Sequence, residues 1–87
     1  MPALVLEVQG DIIFRKEDKK WQLALDMYQE SSKIEPNNAE IFIKQGKCYE
    51  KLREFEKATE AFKQAIKIDD KNAHAHFRLG WVCIRNN

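Results

Sequence analysis

Residues 39–72 read AEIFIKQGKCYEKLREFEKATEAFKQAIKIDDKN, and two helical stripes run through them. From Glu40 to Leu52 the apolar positions Phe42, Cys48, Tyr49 and Leu52 recur at steps of three and four, the spacing of one helical face. Phe55, Ala58, Phe62, Ala65 and Ile66 mark a second helix in the same way. Before the first stripe stands Glu35-Pro36-Asn37-Asn38. Proline has no N–H to donate and restricts the residue before it, so no helix continues through it. Asn38 and Asn72 are N-cap candidates, since a side-chain oxygen there can take an unpaired N–H of the first turn.

The stretch is one unit of a repeat. Trp21 and Phe55 lie 34 residues apart, as do Ala24 and Ala58, Tyr28 and Phe62, Ile34 and Ile68. The same offset relates Ala39 to Ala73, Lys44 to Arg78 and Gly46 to Gly80. Gly10 precedes Gly46 by 36, which places two extra residues within Lys16 to Lys20 and aligns Leu6, Gly10 and Ile13 with Phe42, Gly46 and Tyr49. The spacing predicts five helices, at roughly 3–16, 20–33, 38–51, 54–67 and 73–85. Gly46 and Ala58 are small enough to let neighbouring helices approach, with Tyr49 and Phe62 filling the space beside them. A helix pair of this kind cannot bury its apolar face alone, so the pairs must stack into a short right-handed solenoid with a concave side.

Length and composition agree. Eighty-seven residues make one compact domain. Three glycines and two prolines leave few sharp turns, which disfavours a many-turned sandwich. Fifteen basic against fourteen acidic residues give a net charge of +1, so neither nucleic acid nor an anionic membrane is the expected partner. The longest apolar runs, Ala3 to Leu6 and Trp81 to Ile84, are far too short to span a bilayer. Met1-Pro2-Ala3-Leu4 lacks the pattern of a secretory signal. Cys48 and Cys83 have no framework spacing and read as free, interior thiols. The expected location is cytoplasmic.

The combined pattern resembles the tetratricopeptide repeat family, a helix–turn–helix unit with a period of 34. Phe42, Gly46, Tyr49, Ala58, Phe62 and Ala65 stand at its signature positions. The chain departs from it at Gln45 (usually leucine), Asp70 (usually proline), Ser31 (usually alanine) and His76 (usually a large aromatic). The resemblance implies an all-α right-handed superhelix of helix–turn–helix repeats. Repeat one covers about 3–37, repeat two about 38–71 and a partial third about 72–87, so that two full units precede a fifth helix. It also implies a scaffold that binds proteins or peptides.

Catalysis has no visible residue set. Ser31, Ser32 and Thr59 fall mid-helix with no histidine near in sequence, and the three glycines are isolated rather than part of a phosphate loop. His74 and His76 project about 200° apart on a helix and cannot share a metal ion. One is expected exposed and the other packed on the preceding repeat. No catalytic, cofactor or metal residue is assigned, and no cofactor is expected.

On the implied fold the first helix of each pair lines the concave side. There Lys44, Lys47 and Lys51 form a stripe that reads either as an ordinary solvated face or as the basic rim of a peptide groove. Arg78 and Arg85 repeat Lys44 and Lys51, while Phe77, Trp81 and Ile84 stand where the middle unit has Ile43, Lys47 and Glu50. Lys44, Lys47, Lys51, Phe77, Arg78, Trp81, Ile84 and Arg85 are therefore the candidate partner-binding residues, suited to a protein or peptide with acidic and apolar groups. The alternative is a structural slice of a longer scaffold, or self-association, with further repeats or a second copy on the apolar fifth helix.

A subclass of the family holds the C-terminal carboxylates of heat-shock chaperones in a two-carboxylate clamp. Where that clamp has lysine and asparagine on the opening helix this chain has Glu7 and Asp11; where it has a further asparagine, Lys44; and His74 and Arg78 stand for a lysine and an arginine. Only Arg78 matches. Two acids in an anion site repel the ligand, so a chaperone C-terminal tail is the disfavoured partner.

Overall fold

The computed structural model describes residues 2–15 and 20–85, with residues 13–15 described by backbone alone. The expected two-residue insertion within Lys16 to Lys20, and the alignment of the Ile13 side chain with Tyr49, fall outside what is described. Five helices follow in order, α1 (Ala3–Arg15), α2 (Trp21–Ile34), α3 (Ala39–Lys51), α4 (Phe55–Ile68) and α5 (Ala73–Arg85). Each lies within about a residue of its expected bounds, and no strand occurs among the described residues. No described helix is long and apolar enough to cross a membrane.

Local chemistry fixes the ends. Asn38 Oδ1 accepts from the Glu40 N–H at 3.1 Å, and Asn72 Oδ1 accepts from the Ala75 N–H at 3.1 Å, so both asparagines act as N-caps. The end of α3 is a Schellman motif. The Glu54 N–H reaches the Tyr49 carbonyl at 2.9 Å and the Arg53 N–H reaches the Glu50 carbonyl at 3.0 Å. Arg53 between them has φ 63°, the left-handed conformation usually given to glycine.

Consecutive helices pack on one another, and α3 also touches α5. The core alternates small and large residues. Ala58, Phe62, Ala65, Ala75 and Val82 are fully enclosed in one cluster with Ile43, and Ala24, Leu25, Tyr28, Ile41 and Cys48 form a second. The glycines explain the close helix pairs. A Cβ on Gly10 would lie 2.6 Å from Tyr28 Cε1, and one on Gly46 would lie 2.6 Å from Phe62 Cζ. Gly46 is thus covered by the Phe62 ring, one turn beyond Ala58. Gly80, the third of the series, meets nothing within 4 Å.

The departures from the family pattern have local partners. Gln45 is buried and its Nε2 donates to the Tyr28 carbonyl at 3.2 Å. Ser31, also buried, donates from Oγ to the Ala3 carbonyl at 3.0 Å, tying α2 to the start of α1. Ser32 and Thr59 donate to the backbone carbonyls of Gln29 and Phe55. Two expectations are corrected on α5. Cys48 is buried but Cys83 is exposed, because no helix among the described residues covers the face on which it stands. Neither histidine packs on the preceding repeat; both are exposed, and His76 Nε2 lies 2.8 Å from the Asp70 carbonyl.

Candidate functional site

The first helices of the pairs are joined by charge. Lys44 of α3 reaches back to α1, where its Nζ donates to Glu7 Oε2 at 2.5 Å and to Asp11 Oδ2 at 2.9 Å. Tyr28 Oη donates to the other oxygen of Asp11 at 2.6 Å. Burial works against the Lys44 ammonium, yet the hydrogen bonds to Glu7 and Asp11 outweigh it and hold its pKa above the ordinary value. The Tyr28 phenol is pushed well up, first by burial and then by its bond to Asp11. On the other side of α3, Arg78 Nη1 of α5 lies 3.4 Å from Glu50 Oε2.

Beside that contact is a pocket of about 430 Å³. Its wall takes Lys47, Glu50 and Lys51 from the end of α3, and Arg78, Trp81 and Arg85 from α5. Trp21 and Phe55, the opening residues of α2 and α4, and Arg53 from the turn between α3 and α4 complete it. The cations lie over the rings. Arg85 is 4.6 Å from the Trp81 centroid and 5.5 Å from that of Phe55, Lys51 is 6.0 Å from Trp21, and Arg53 is 5.9 Å from Phe55. Among the described residues no carboxylate lies within ion-pair distance of Lys47, Lys51, Arg53 or Arg85. Five cations therefore surround one carboxylate and three aromatic faces.

That carboxylate is unusual. The Glu50 side chain is only 8 % exposed. Burial pushes its carboxyl up from the ordinary value, although Arg78, Lys51, Arg85 and Lys47 all pull it down. One oxygen faces Arg78; the other, Oε1, is buried with no donor in reach among the described residues.

Of the eight residues read from the sequence as partner-binding, Lys47, Lys51, Arg78, Trp81 and Arg85 line this pocket. Lys44 does not; it is engaged by Glu7 and Asp11. Phe77 and Ile84 point away from it and are 67 % and 76 % exposed. Trp21, Glu50, Arg53 and Phe55 were not singled out. The 34-residue relation of Trp21 to Phe55 is visible in the sequence, but only as a repeat of equivalent positions. The signal available for Arg53 was a turn, Leu52-Arg53-Glu54, that reverses the chain without glycine.

Comparison with known proteins places the geometry. Residues 39–72 match the model of the tetratricopeptide repeat family. Anaphase-promoting complex subunit 3 of Dictyostelium discoideum is 35% identical over 57 residues, which is 66% of this chain and 6% of that protein. The chain thus spans a small part of the curated relative it matches. Among solved structures, the first tetratricopeptide domain of Spaghetti (RPAP3), bound to the HSP90 peptide SRMEEVD, superposes with a TM-score of 0.88 at 24% identity. That match covers 94% of this chain and 64% of that one. The second domain of the same protein, bound to the same peptide, gives 0.91 at 22% identity, over 98% and 77%. The expectation that a chaperone tail is disfavoured is overturned by these two structures, since domains sharing this fold hold such a peptide. Its electrostatic ground is weakened as well, because Glu7 and Asp11 are both bonded to Lys44, which offsets one of their two charges. Residues 39–72 are thus a tetratricopeptide repeat unit, and the chain as a whole has the fold of tetratricopeptide repeat domains.

Proposed function

We propose that this chain is a non-catalytic interaction module that takes a peptide or protein segment with acidic and apolar groups along the concave side formed by α1, α3 and α5. The observation that carries the reading is the pocket between α3 and α5, where Lys47, Lys51, Arg53 and Arg85 stand beside Trp21, Phe55 and Trp81 with no acid within ion-pair distance among the described residues. Cations held over aromatic faces present both a charge and an apolar floor, which suits carboxylate side chains alternating with apolar ones. The two Spaghetti domains, bound to SRMEEVD, offer a first probe.

Both tryptophans of the chain line the pocket, so their intrinsic fluorescence reports its occupancy directly. Titration with SRMEEVD should change that emission, and affinity should fall as salt rises. Lys51→Glu with Arg85→Glu should weaken binding about tenfold or more, as expected for reversing charges that face an acidic ligand. An emission unchanged by SRMEEVD, and by its analogue with the acids as amides, would overturn the reading. Equal binding of the two peptides would remove its electrostatic part.

A second reading, assembly, rests on Gly80. Gly10 and Gly46 are each covered by an aromatic ring of the next helix, whereas Gly80 stands open between the exposed Phe77 and Ile84. That face fits an amphipathic helix with a small residue four before an aromatic one, the arrangement of Ala24 with Tyr28 and of Ala58 with Phe62. Sedimentation that stays monomeric across a wide concentration range would rule out a second copy as the source of that helix.

A further inference from the structure

Glu50 occupies a position where the other units are apolar. Thirty-four residues later stands Ile84, and 36 earlier, in the register that aligns Gly10 with Gly46, stands Phe14. A buried carboxylate there is costly, because a charge taken from water needs partners on both oxygens. Arg78 satisfies one oxygen at 3.4 Å, while Oε1, inside the wall of the pocket, has no donor among the described residues. The contact with Arg78 uses only one of the two Glu50 oxygens.

We propose that Glu50 is a specificity-determining residue of the pocket, its unpartnered Oε1 accepting a hydrogen bond from a backbone N–H of the bound peptide once the side chains around it part to admit the ligand. The inference rests on the peptide-binding reading above and adds the ligand's hydrogen-bond pattern to it. Two features of the surroundings select the donor. Lys47, Lys51, Arg78 and Arg85 around Glu50 repel a cationic donor, so the group must be neutral. Those same cations call for an anion close by. An acidic residue within a peptide brings both together, a carboxylate and its own N–H. A bare anion such as acetate brings only the charge, and meets Glu50 as a like charge.

The test is a cycle between protein and ligand. SRMEEVD is made in versions that carry one backbone N-methyl group each, and every version is titrated against wild type, Glu50→Gln and Glu50→Leu by tryptophan fluorescence. Leucine restores the apolar character of the equivalent positions, and glutamine keeps an acceptor oxygen, so at least one variant retains the fold; circular dichroism checks each. For wild type, methylation at one position in the acidic stretch should cost about tenfold in affinity beyond the others, the scale of a hydrogen bond to a charged group. The same methylation should cost less against Glu50→Gln and nothing extra against Glu50→Leu. If every N-methyl peptide loses the same affinity against all three proteins, the role given to Glu50 is wrong while the peptide-binding reading stands. If unmodified SRMEEVD leaves the wild-type emission unchanged, both fall.

Discussion

At the scale of single residues, the glycines test the packing directly. Gly46 lies under the fully buried Phe62 ring, and an added Cβ would come within 2.6 Å of Cζ. A ring enclosed on all sides has nowhere to retreat, so Gly46→Ala should destabilise by about 1–3 kcal/mol despite the better helix propensity of alanine. Gly80→Ala meets nothing, and should stabilise by roughly 0.5–1 kcal/mol through propensity alone. Chemical denaturation of the two variants decides it; equal effects would mean that α3 and α4 are not in close contact at Gly46. The cysteines divide similarly. Burial pushes the Cys48 thiol up to about 12, while Cys83 is exposed. A thiol whose pKa is raised by folding contributes stability that is complete below the unfolded value and lost as pH climbs toward the folded one. Between pH 8 and 10 the wild type should therefore lose about 1.4 kcal/mol more than Cys48→Ala. Urea midpoints at the two pH values provide the measurement, and parallel losses would refute it.

At the scale of elements, the turn between α3 and α4 joins fold and site. Arg53 closes the Schellman motif in the left-handed conformation, where a side chain is strained and glycine is not. Its side chain stands over Phe55 in the wall of the pocket. Arg53→Gly should raise stability by about 0.5–1 kcal/mol, through relief of that strain, while weakening the binding of an acidic peptide. Thermal melts and the fluorescence titration check the two halves; a variant both less stable and equally avid would show that Arg53 serves only the turn. The helices themselves were legible because the 34-residue period registers apolar stripes, caps and glycines together. The site was legible only along α3 and α5. Lys47, Lys51, Arg78, Trp81 and Arg85 lie on the periodic face that sequence spacing reveals. The partners of Lys44, by contrast, are 33 and 37 residues away on α1, a pairing that no spacing rule encodes. Glu50 was visible as the counterpart of Ile84, but burial of its carboxylate arises only when α5 closes over α3.

At the scale of the whole molecule, the two ends of the array differ. Repeats one and two each place a second helix over the glycine of the first, so that Tyr28 and Phe62 are enclosed. α5 has no such cover among the described residues and buries only Ala75 and Val82 fully. Trp81 is 39 % exposed under Arg85, and Phe77 and Ile84 are more exposed still. Enclosing a side chain of that size contributes roughly 1.5–3 kcal/mol, and α5 forgoes it at two positions on its outer face. The helix is therefore held from one side, by α4 and by the contact of Arg78 with Glu50. Its opening should cost less than opening of the α3–α4 pair, by an amount on the order of one such burial. Hydrogen exchange on a dilute monomer should accordingly run faster in residues 73–85 than in residues 39–68. On the proposed binding mode, in which the peptide bridges α3 and α5 through the pocket, SRMEEVD should slow exchange at the Arg78, Trp81 and Arg85 end of α5 more than at its exposed face. Uniform strong protection of α5 in a proven monomer would mean that the outer face is covered by packing absent from this arrangement, and that Gly80 is not an open counterpart of Gly46.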